Sequence, residues 1–305
     1  MKAAYGKERE YTMIAVSRGQ KIFNVFNIIF MLCIVFVTLY PFYYVAVASF
    51  SNSADFMMYR GFLYKPLGFN INAYRIVLRD DRILTGFVNS VILIVVRVSL
   101  AMLLTIIGAY VLSRKNTVFT PFLMIIVIVT MFFNGGMIPT YLNVRSLGLD
   151  NRMGALIFPS LINTFNMIIM RNAFEAVPGD IEEAASIDGA GRVQSLFKIM
   201  LPLVIPTVMV IFLYYAVEVW NAWFDAMIYI RKKSLYPLQL VLREILINNN
   251  TTGMGGAGAG GGDSETMAET VQYAVMMVAT VPILVVYPFL QKYFVNGVMV
   301  GAVKG

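Results

Sequence analysis

The chain has 305 residues, of which 59% are hydrophobic and 13% charged, with a formal net charge of +7. Soluble globular proteins contain about a quarter charged residues, so this composition excludes a water-soluble protein and predicts an integral membrane protein in contact with lipid. The chain has no histidine and a single cysteine, Cys33, which excludes an intrachain disulfide and removes the commonest metal ligand and general base. We therefore expect no catalytic residue and no metal site.

The basic residues are scattered along the chain, and most of them flank apolar segments. This pattern is typical of side chains that anchor a protein at the membrane interface. It does not indicate a nucleic-acid partner.

Six apolar segments predict membrane-spanning helices, because about 20 apolar residues cross a bilayer as a helix. They cover roughly residues 25–50, 87–112, 121–133 and its continuation, 155–170, 203–230 and 271–290. The fold class is therefore an all-α integral membrane protein with about six transmembrane helices. Six spans place both termini on the same side of the membrane.

These spans divide the chain into four parts: an N-terminal tail (1–21), the first helix with the following loop (22–84), a transmembrane domain (85–292) and a C-terminal tail (293–305). The N-terminal tail carries five basic residues, which favours a cytoplasmic N-terminus, although the remaining loops show no charge bias. The glycine-rich tract at 253–262 lacks the Lys-Ser/Thr of a phosphate-binding loop and predicts a mobile connection.

A polar loop at 175–202 separates the fourth and fifth predicted spans. Asp180 and Glu183 fit a capping box, and Gly189 is a helix stop signal, so we expect a helix of about two turns over 181–188. Isolated helices shorter than roughly 12 residues are marginal in water, so this helix must dock on something.

The surface of this helix combines carboxylates with small side chains, namely Asp180, Glu182, Glu183, Ala184, Ala185 and Asp188. Two interpretations are open. The helix binds a groove with basic residues on a partner protein, or Glu183 only caps the helix and the loop packs on its own spans.

The fifth predicted span contains polar and aromatic residues, namely Glu218, Trp220, Asn221, Trp223 and Asp225. The spacing of 218, 221 and 225 predicts one shared helix face. A polar face bordered by two indoles suits a sugar pathway, with hydrogen bonds for hydroxyl groups and ring faces for C–H surfaces. Alternatively, Trp223 belongs to the aromatic belt and Asp225 lies at the membrane surface near Arg231.

Arg97 lies near the middle of the second predicted span, where an ionisable side chain is costly. One hypothesis is that it pairs with Glu218. The alternative is that it extends toward the interface or contacts backbone carbonyls of a neighbouring helix.

The polar loop also carries a family resemblance. Glu183-Ala184-Ala185, Gly189 and Ile199-x-Leu201-Pro202 match the pattern EAA-x3-G-x9-I-x-LP without a departure. This pattern is the signature of the membrane subunits of bacterial ABC importers. The C-terminal residues 295–305 are similar to MalG-like carbohydrate importer subunits, and the segment 132–141 resembles the LplC/YtcP type.

The resemblance implies a type I ABC importer transmembrane domain in which the polar loop forms a cytoplasmic coupling helix. The implied ATPase-coupling residues are Asp180, Glu182, Glu183, Ala184, Ala185, Asp188, Gly189, Ile199, Leu201 and Pro202. The implied partners are a second homologous permease subunit, two ATPase subunits that bind ATP and Mg²⁺, and an extracellular solute-binding protein that delivers a sugar, expected to be an oligosaccharide. This chain itself would bind no cofactor and would lie in the bacterial cell membrane with both termini in the cytoplasm.

Two other classes are weighed against this one. An ion-coupled secondary sugar transporter would use Glu218 and Asp225 for proton coupling, but it leaves the docking helix unexplained. A membrane-embedded transferase is disfavoured because the chain has no histidine and no metal-ligand cluster.

Overall fold

The computed structural model describes residues 17–114, 119–248 and 263–302, and within these ranges every regular element is a helix. The predicted mobile tract at 253–262 lies outside the described residues, as do residues 1–16 of the N-terminal tail. The helices before the polar loop are α1 (Arg18–Ser49), α2 (Ser53–Met58), α3 (Asn72–Arg79), α4 (Asp81–Leu112), α5 (Thr120–Phe132), α6 (Met137–Ser146), α7 (Gly154–Ile157) and α8 (Thr164–Glu175).

The helices of the polar loop and beyond are α9 (Gly179–Ile187), α10 (Arg192–Leu203), α11 (Ile205–Asn221), α12 (Phe224–Tyr229), α13 (Leu238–Asn248) and α14 (Asp263–Ala302). Helix α14 continues past residue 290, so the predicted boundary between the last span and the C-terminal tail is not a break in the helix.

In the described part of the chain, three helical segments are long and apolar enough to cross a membrane: α1, α4 and Glu269–Pro288 of α14. Two bent pairs would add two more spans, α5 with α6 at an angle of 112° and α10 with α11 at 87°. The first bend coincides with Asn134-Gly135-Gly136, where Gly136 has a φ of 87°. Three of the six predicted spans therefore have a single helix of sufficient length, and two more do if each bent pair is one span.

The fourth predicted span, 155–170, is not a continuous helix. It consists of α7 and α8, separated by the non-helical residues 158–163. Pro159 has no backbone N–H to continue the helical hydrogen bonds, and Ser160 has a positive φ of 54°. Asn163 then caps α8 by accepting a hydrogen bond from the Asn166 backbone N–H at 3.2 Å. The prediction of one continuous span here is wrong because these local signals outweigh the apolar composition.

The core lies between α4, α8 and α11. Its fully buried members include Ala101, Ala109, Met170, Phe174 and Ile211. The hydrophobic stretch of α1 is unburied, and the part of α1 from Tyr40 to Ser49 packs against α2, the following loop and α14. Unburied apolar side chains of this kind are expected where a helix faces lipid or another subunit.

Candidate functional site

The helix of the polar loop, α9, begins earlier than the sequence predicts. It starts at Gly179 directly after Pro178, and the N-cap makes no side-chain hydrogen bond. The predicted capping box is therefore wrong, because Asp180 lies inside the first turn instead of at the N-cap. Asp180 and Glu182 still place negative charge near the positive end of the helix dipole, which stabilises the helix start.

The end of α9 is where the sequence predicts it. Gly189 has a φ of 80°, and its N–H donates to the Ser186 carbonyl at 3.1 Å. The Ala190 N–H donates to the Ala185 carbonyl at 2.9 Å, which completes a Schellman motif. A positive φ favours glycine, so the stop signal at Gly189 is confirmed.

Helix α9 has one face toward its own chain and one face toward the outside. Ala185 is buried, with 6% of its surface exposed, and Glu182 is half-buried beside it. The other side chains are exposed, and those that lie along one side of the helix and at its C-terminal cap are Asp180, Glu183, Ala184, Ile187 and Asp188. We call these five residues the outer face of α9.

Glu182 is bound by the end of α4. The Tyr110 hydroxyl donates to Glu182 Oε1 at 2.6 Å, and the Arg114 guanidinium forms an ion pair with the same carboxylate. The Arg114 guanidinium also lies over the Tyr110 ring, 4.3 Å from its centroid. Burial lowers the pKa of Arg114, which reflects the loss of water around this guanidinium.

Helix α8 binds the same end of α4. The Arg171 Nε donates to the Leu112 carbonyl at 3.0 Å, and Phe174 packs edge-on against Tyr110 with ring centroids 5.7 Å apart. Sequence reasoning did not predict these partners of Glu182. Arg114 directly after a span, with Tyr110 one turn before it, is the signal that could have indicated them.

The remaining motif residues lie on α10. Ile199 and Leu201 are partly buried, and Leu201 packs against the core, whereas Pro202 is exposed. Helix α10 then ends at Leu203, and the chain bends by 87° into α11. The Ile-x-Leu-Pro segment therefore sits directly before a bend between the polar loop and a membrane helix.

Arg97 lies in a π-helical turn of α4, Ile94–Val98, and only 7% of its surface is exposed. Its guanidinium donates to the Leu156 carbonyl at 3.1 Å, to the Ser160 carbonyl at 3.4 Å and to Glu218 Oε1 at 3.4 Å. Both interpretations of Arg97 therefore describe part of its surroundings, because it pairs with Glu218 and also binds backbone carbonyls.

The polar residues of the fifth predicted span do not share one helix. Helix α11 ends at Asn221, Ala222 is extended, and Asp225 lies in the first turn of the separate helix α12. The expected common face of residues 218, 221 and 225 is therefore wrong. Glu218 and Asn221 are exposed on α11, and Asp225 lines a narrow cavity together with Arg97.

The two tryptophans have different surroundings. Trp220 is buried, its Nε1 donates to the Ala279 carbonyl at 3.3 Å, and its ring packs edge-on against Phe87. Within this chain Trp220 is thus a packing residue, contrary to its expected place beside an open pathway. Trp223 is only partly buried, and the Arg243 guanidinium lies 4.3 Å from its ring centroid.

Comparisons with known proteins give the family. Residues 111–300 match the family described as binding-protein-dependent transport system inner membrane component. The chain is 40% identical over 277 residues to the polygalacturonan/rhamnogalacturonan transport system permease protein YtcP of Bacillus subtilis (strain 168), covering 90% of this chain and 96% of the relative. It is 38% identical over 293 residues to protein LplC of the same strain, covering 95% and 97%.

A solved structure has the same fold along nearly the whole chain. It is a chain of a bacterial ABC transporter involved in the import of the acidic polysaccharide alginate, with 32% identity and a TM-score of 0.83. The match covers 91% of this chain and 98% of the other. The chain therefore belongs to the family of inner membrane components of binding-protein-dependent transport systems, and it is a permease subunit of an ABC importer.

Proposed function

We propose that this chain is one of two different membrane subunits of an ATP-driven importer that takes up acidic oligosaccharides. Support for the substrate class comes from two relatives, one named for polygalacturonan and rhamnogalacturonan and one for alginate, an acidic polysaccharide. The family name implies that a separate binding protein delivers the substrate. The family gives no support to the ion-coupled alternative.

The observation that carries the ATP-driven mechanism is the outer face of α9. Its side chains are exposed although Ile187, at 81% exposure, is apolar. A nine-residue helix that exposes an isoleucine among three carboxylates suits a cleft with an apolar floor and basic groups at its rim. In this proposal Glu183 pairs with such a basic group on an ATPase subunit.

Docking of α9 on an ATPase subunit assigns ATP hydrolysis to that subunit and the substrate pathway to the membrane subunits. Two ATPase subunits hold ATP and Mg²⁺, and this chain binds no cofactor. Helix α9, like both termini, lies on the cytoplasmic side of the bacterial cell membrane. The second permease subunit packs in the membrane against this chain, where α1 offers an uncovered apolar surface.

The substrate pathway is proposed to pass Glu218 and Asn221 on α11 and then Trp223 and Asp225. Glu218 is half-exposed, and its charge is partly balanced by Arg97 at 3.4 Å. This balance lowers the repulsion that an acidic sugar would otherwise meet. Arg243, stacked on Trp223, supplies a cation beside an aromatic ring, a pairing that suits a uronate carboxylate and the C–H face of its sugar ring.

The test is purification of the tagged protein from its native membranes in a gentle detergent, followed by identification of the co-eluting proteins and an uptake assay in vesicles. We expect a second permease and an ATPase to co-elute, and we expect uptake of uronate oligosaccharides to require ATP inside the vesicle. Elution of the chain alone, with uptake that persists without ATP and is abolished by a protonophore, would overturn the proposal.

A further inference from the structure

Among the described residues, only Glu182 of the four carboxylates on α9 and its C-cap has a bonding partner in its own chain. Glu182 accepts a hydrogen bond from the Tyr110 hydroxyl and pairs with Arg114, whereas Asp180, Glu183 and Asp188 are exposed. Arg114 in turn stacks on the Tyr110 ring. Glu182, Tyr110 and Arg114 therefore form a closed set of contacts, which we call the latch, between two segments about 70 residues apart in sequence.

The latch joins α9 to the end of α4, and the same end of α4 also contacts α8, the helix before α9. Helix α8 contacts the end of α4 through Arg171 and Phe174. The nine-residue α9 is too short to be stable by itself, so its position depends on such contacts. A displacement of α9 by a partner bound to its outer face would therefore also displace the end of α4.

Helix α4 forms one helical segment from Asp81 to Leu112. The latch residue Tyr110 and the buried Arg97 lie on this one helix, separated by about 20 Å of helical rise. Arg97 sits in a π-helical turn and contacts Glu218 on α11. Single π turns interrupt the regular helix ladder and are frequent at functional sites. Helix α4 thus connects the polar loop to the centre of the membrane domain.

We propose that the latch transmits the displacement of α9 to α4 during transport, so that Glu182 is a positioning residue with a role different from that of Glu183. Glu183 contacts the ATPase, whereas Glu182 couples that contact to the membrane helices. This inference rests on the proposed function. Rigid elements that shift between two packed arrangements are the usual carriers of such a signal.

The experiment uses the complete transporter, with its partner permease, ATPase and binding protein, reconstituted in vesicles. Glu182→Gln, Arg114→Met and Tyr110→Phe each remove part of the latch. The control is Asp150→Asn, which breaks an ion pair away from α9, the 3.1 Å contact between Asp150 and the mostly exposed Arg231. The two readouts are the amount of ATPase that co-elutes and the amount of saccharide transported per ATP hydrolysed.

We expect each latch variant to retain the ATPase and to transport less saccharide per ATP. The reduction should be at least about tenfold for Glu182→Gln and Arg114→Met, because each removes one of the two charges that hold the latch together. Tyr110→Phe removes a single hydroxyl group, so it tests the same contact with the least disturbance to folding. Asp150→Asn should behave as the unmodified protein.

Two results would overturn the latch. One is an unchanged ratio of saccharide to ATP in Tyr110→Phe and Glu182→Gln. The other is a loss of transport in proportion to the loss of co-eluting ATPase. That result would mean that the latch residues support assembly of the complex and do not transmit movement. Failure of the unmodified chain to bind an ATPase would instead overturn the proposed function.

Discussion

The Arg97 guanidinium lies 3.4 Å from the Glu218 carboxylate, and its remaining contacts are to the carbonyls of Leu156 and Ser160. Leu156 lies in α7, and Ser160 lies inside the break between α7 and α8. Broken helices inside a membrane need donors for the carbonyls that they release. Arg97 therefore supplies both the counterion of an exposed carboxylate and the donors for a break in the fourth span.

Removal of Arg97 should destabilise the protein more than removal of the Glu218 charge. Arg97→Leu leaves two carbonyls without donors and should lower the unfolding free energy by about 2 to 4 kcal/mol. Glu218→Gln should cost less than about 1 kcal/mol, because this side chain is 44% exposed. Thermal unfolding in detergent measures both variants.

The charge exchange Arg97→Glu with Glu218→Arg provides the decisive control. It restores opposite charges but places a carboxylate against the carbonyls of Leu156 and Ser160. We therefore expect no recovery of stability relative to Arg97→Leu. Full recovery would mean that the ion pair alone explains the role of Arg97.

Gly189→Asp should release the ATPase or uncouple it. The positive φ of 80° makes any side chain at this position costly by about 1 kcal/mol, although a Cβ added there would have no atom within 4 Å. The aspartate also adds bulk and charge beside the outer face of α9. Gly191→Asp is the matched control, because that site is equally open but has a negative φ of −67°. Equal effects of the two variants on ATPase co-elution would contradict the role given to the Schellman turn.

Ile187→Ser should weaken ATPase binding without weakening the fold. Ile187 is 81% exposed, so its replacement removes no packing within the chain. Burial of such a side chain in a partner contributes about 1.5 to 3 kcal/mol, which corresponds to at least about a tenfold change in the dissociation constant. Met58→Ser, at the 86% exposed last residue of α2, should leave ATPase binding unchanged. A titration of the purified membrane subunits with the ATPase distinguishes the two.

Replacing Trp220 should mainly lower stability, whereas replacing Trp223 should mainly impair transport. Trp220→Ala should lower the unfolding free energy by about 3 to 5 kcal/mol, because the ring is buried between α11, α14 and α4. Trp223→Ala should cost less stability and raise the saccharide concentration needed for half-maximal uptake. The unfolding temperature and the uptake kinetics of both variants test this difference. A larger loss of stability in Trp223→Ala than in Trp220→Ala would contradict a place for Trp223 in the substrate pathway.

Arg243→Gln should reduce uptake of uronate oligosaccharides more than uptake of neutral ones. The guanidinium stacked on Trp223 offers a charge-assisted hydrogen bond that a neutral sugar does not need. The expected loss of selectivity is about tenfold, measured by competition between matched acidic and neutral oligosaccharides. Equal losses for both sugars would indicate a packing role for Arg243.

Periodicity and composition were sufficient to predict the membrane class, the all-α fold and the short helix of the polar loop. These features depend on local rules: the number of apolar residues needed to cross a bilayer, and the need for glycine where φ is positive. The family followed from the same loop, since Glu183, Gly189 and Leu201 belong to a pattern of fixed spacing.

Local rules did not predict where α11 ends or which distant residues contact the candidate site residues. The end of α11 before Asp225 and the burial of Trp220 depend on neighbouring helices that fill or satisfy each position. Likewise, the sequence showed four carboxylates on α9 but could not distinguish Glu182 from Glu183. Their roles differ because Tyr110 and Arg114, distant in sequence, lie against one face of that helix, and only the tertiary structure determines which face this is.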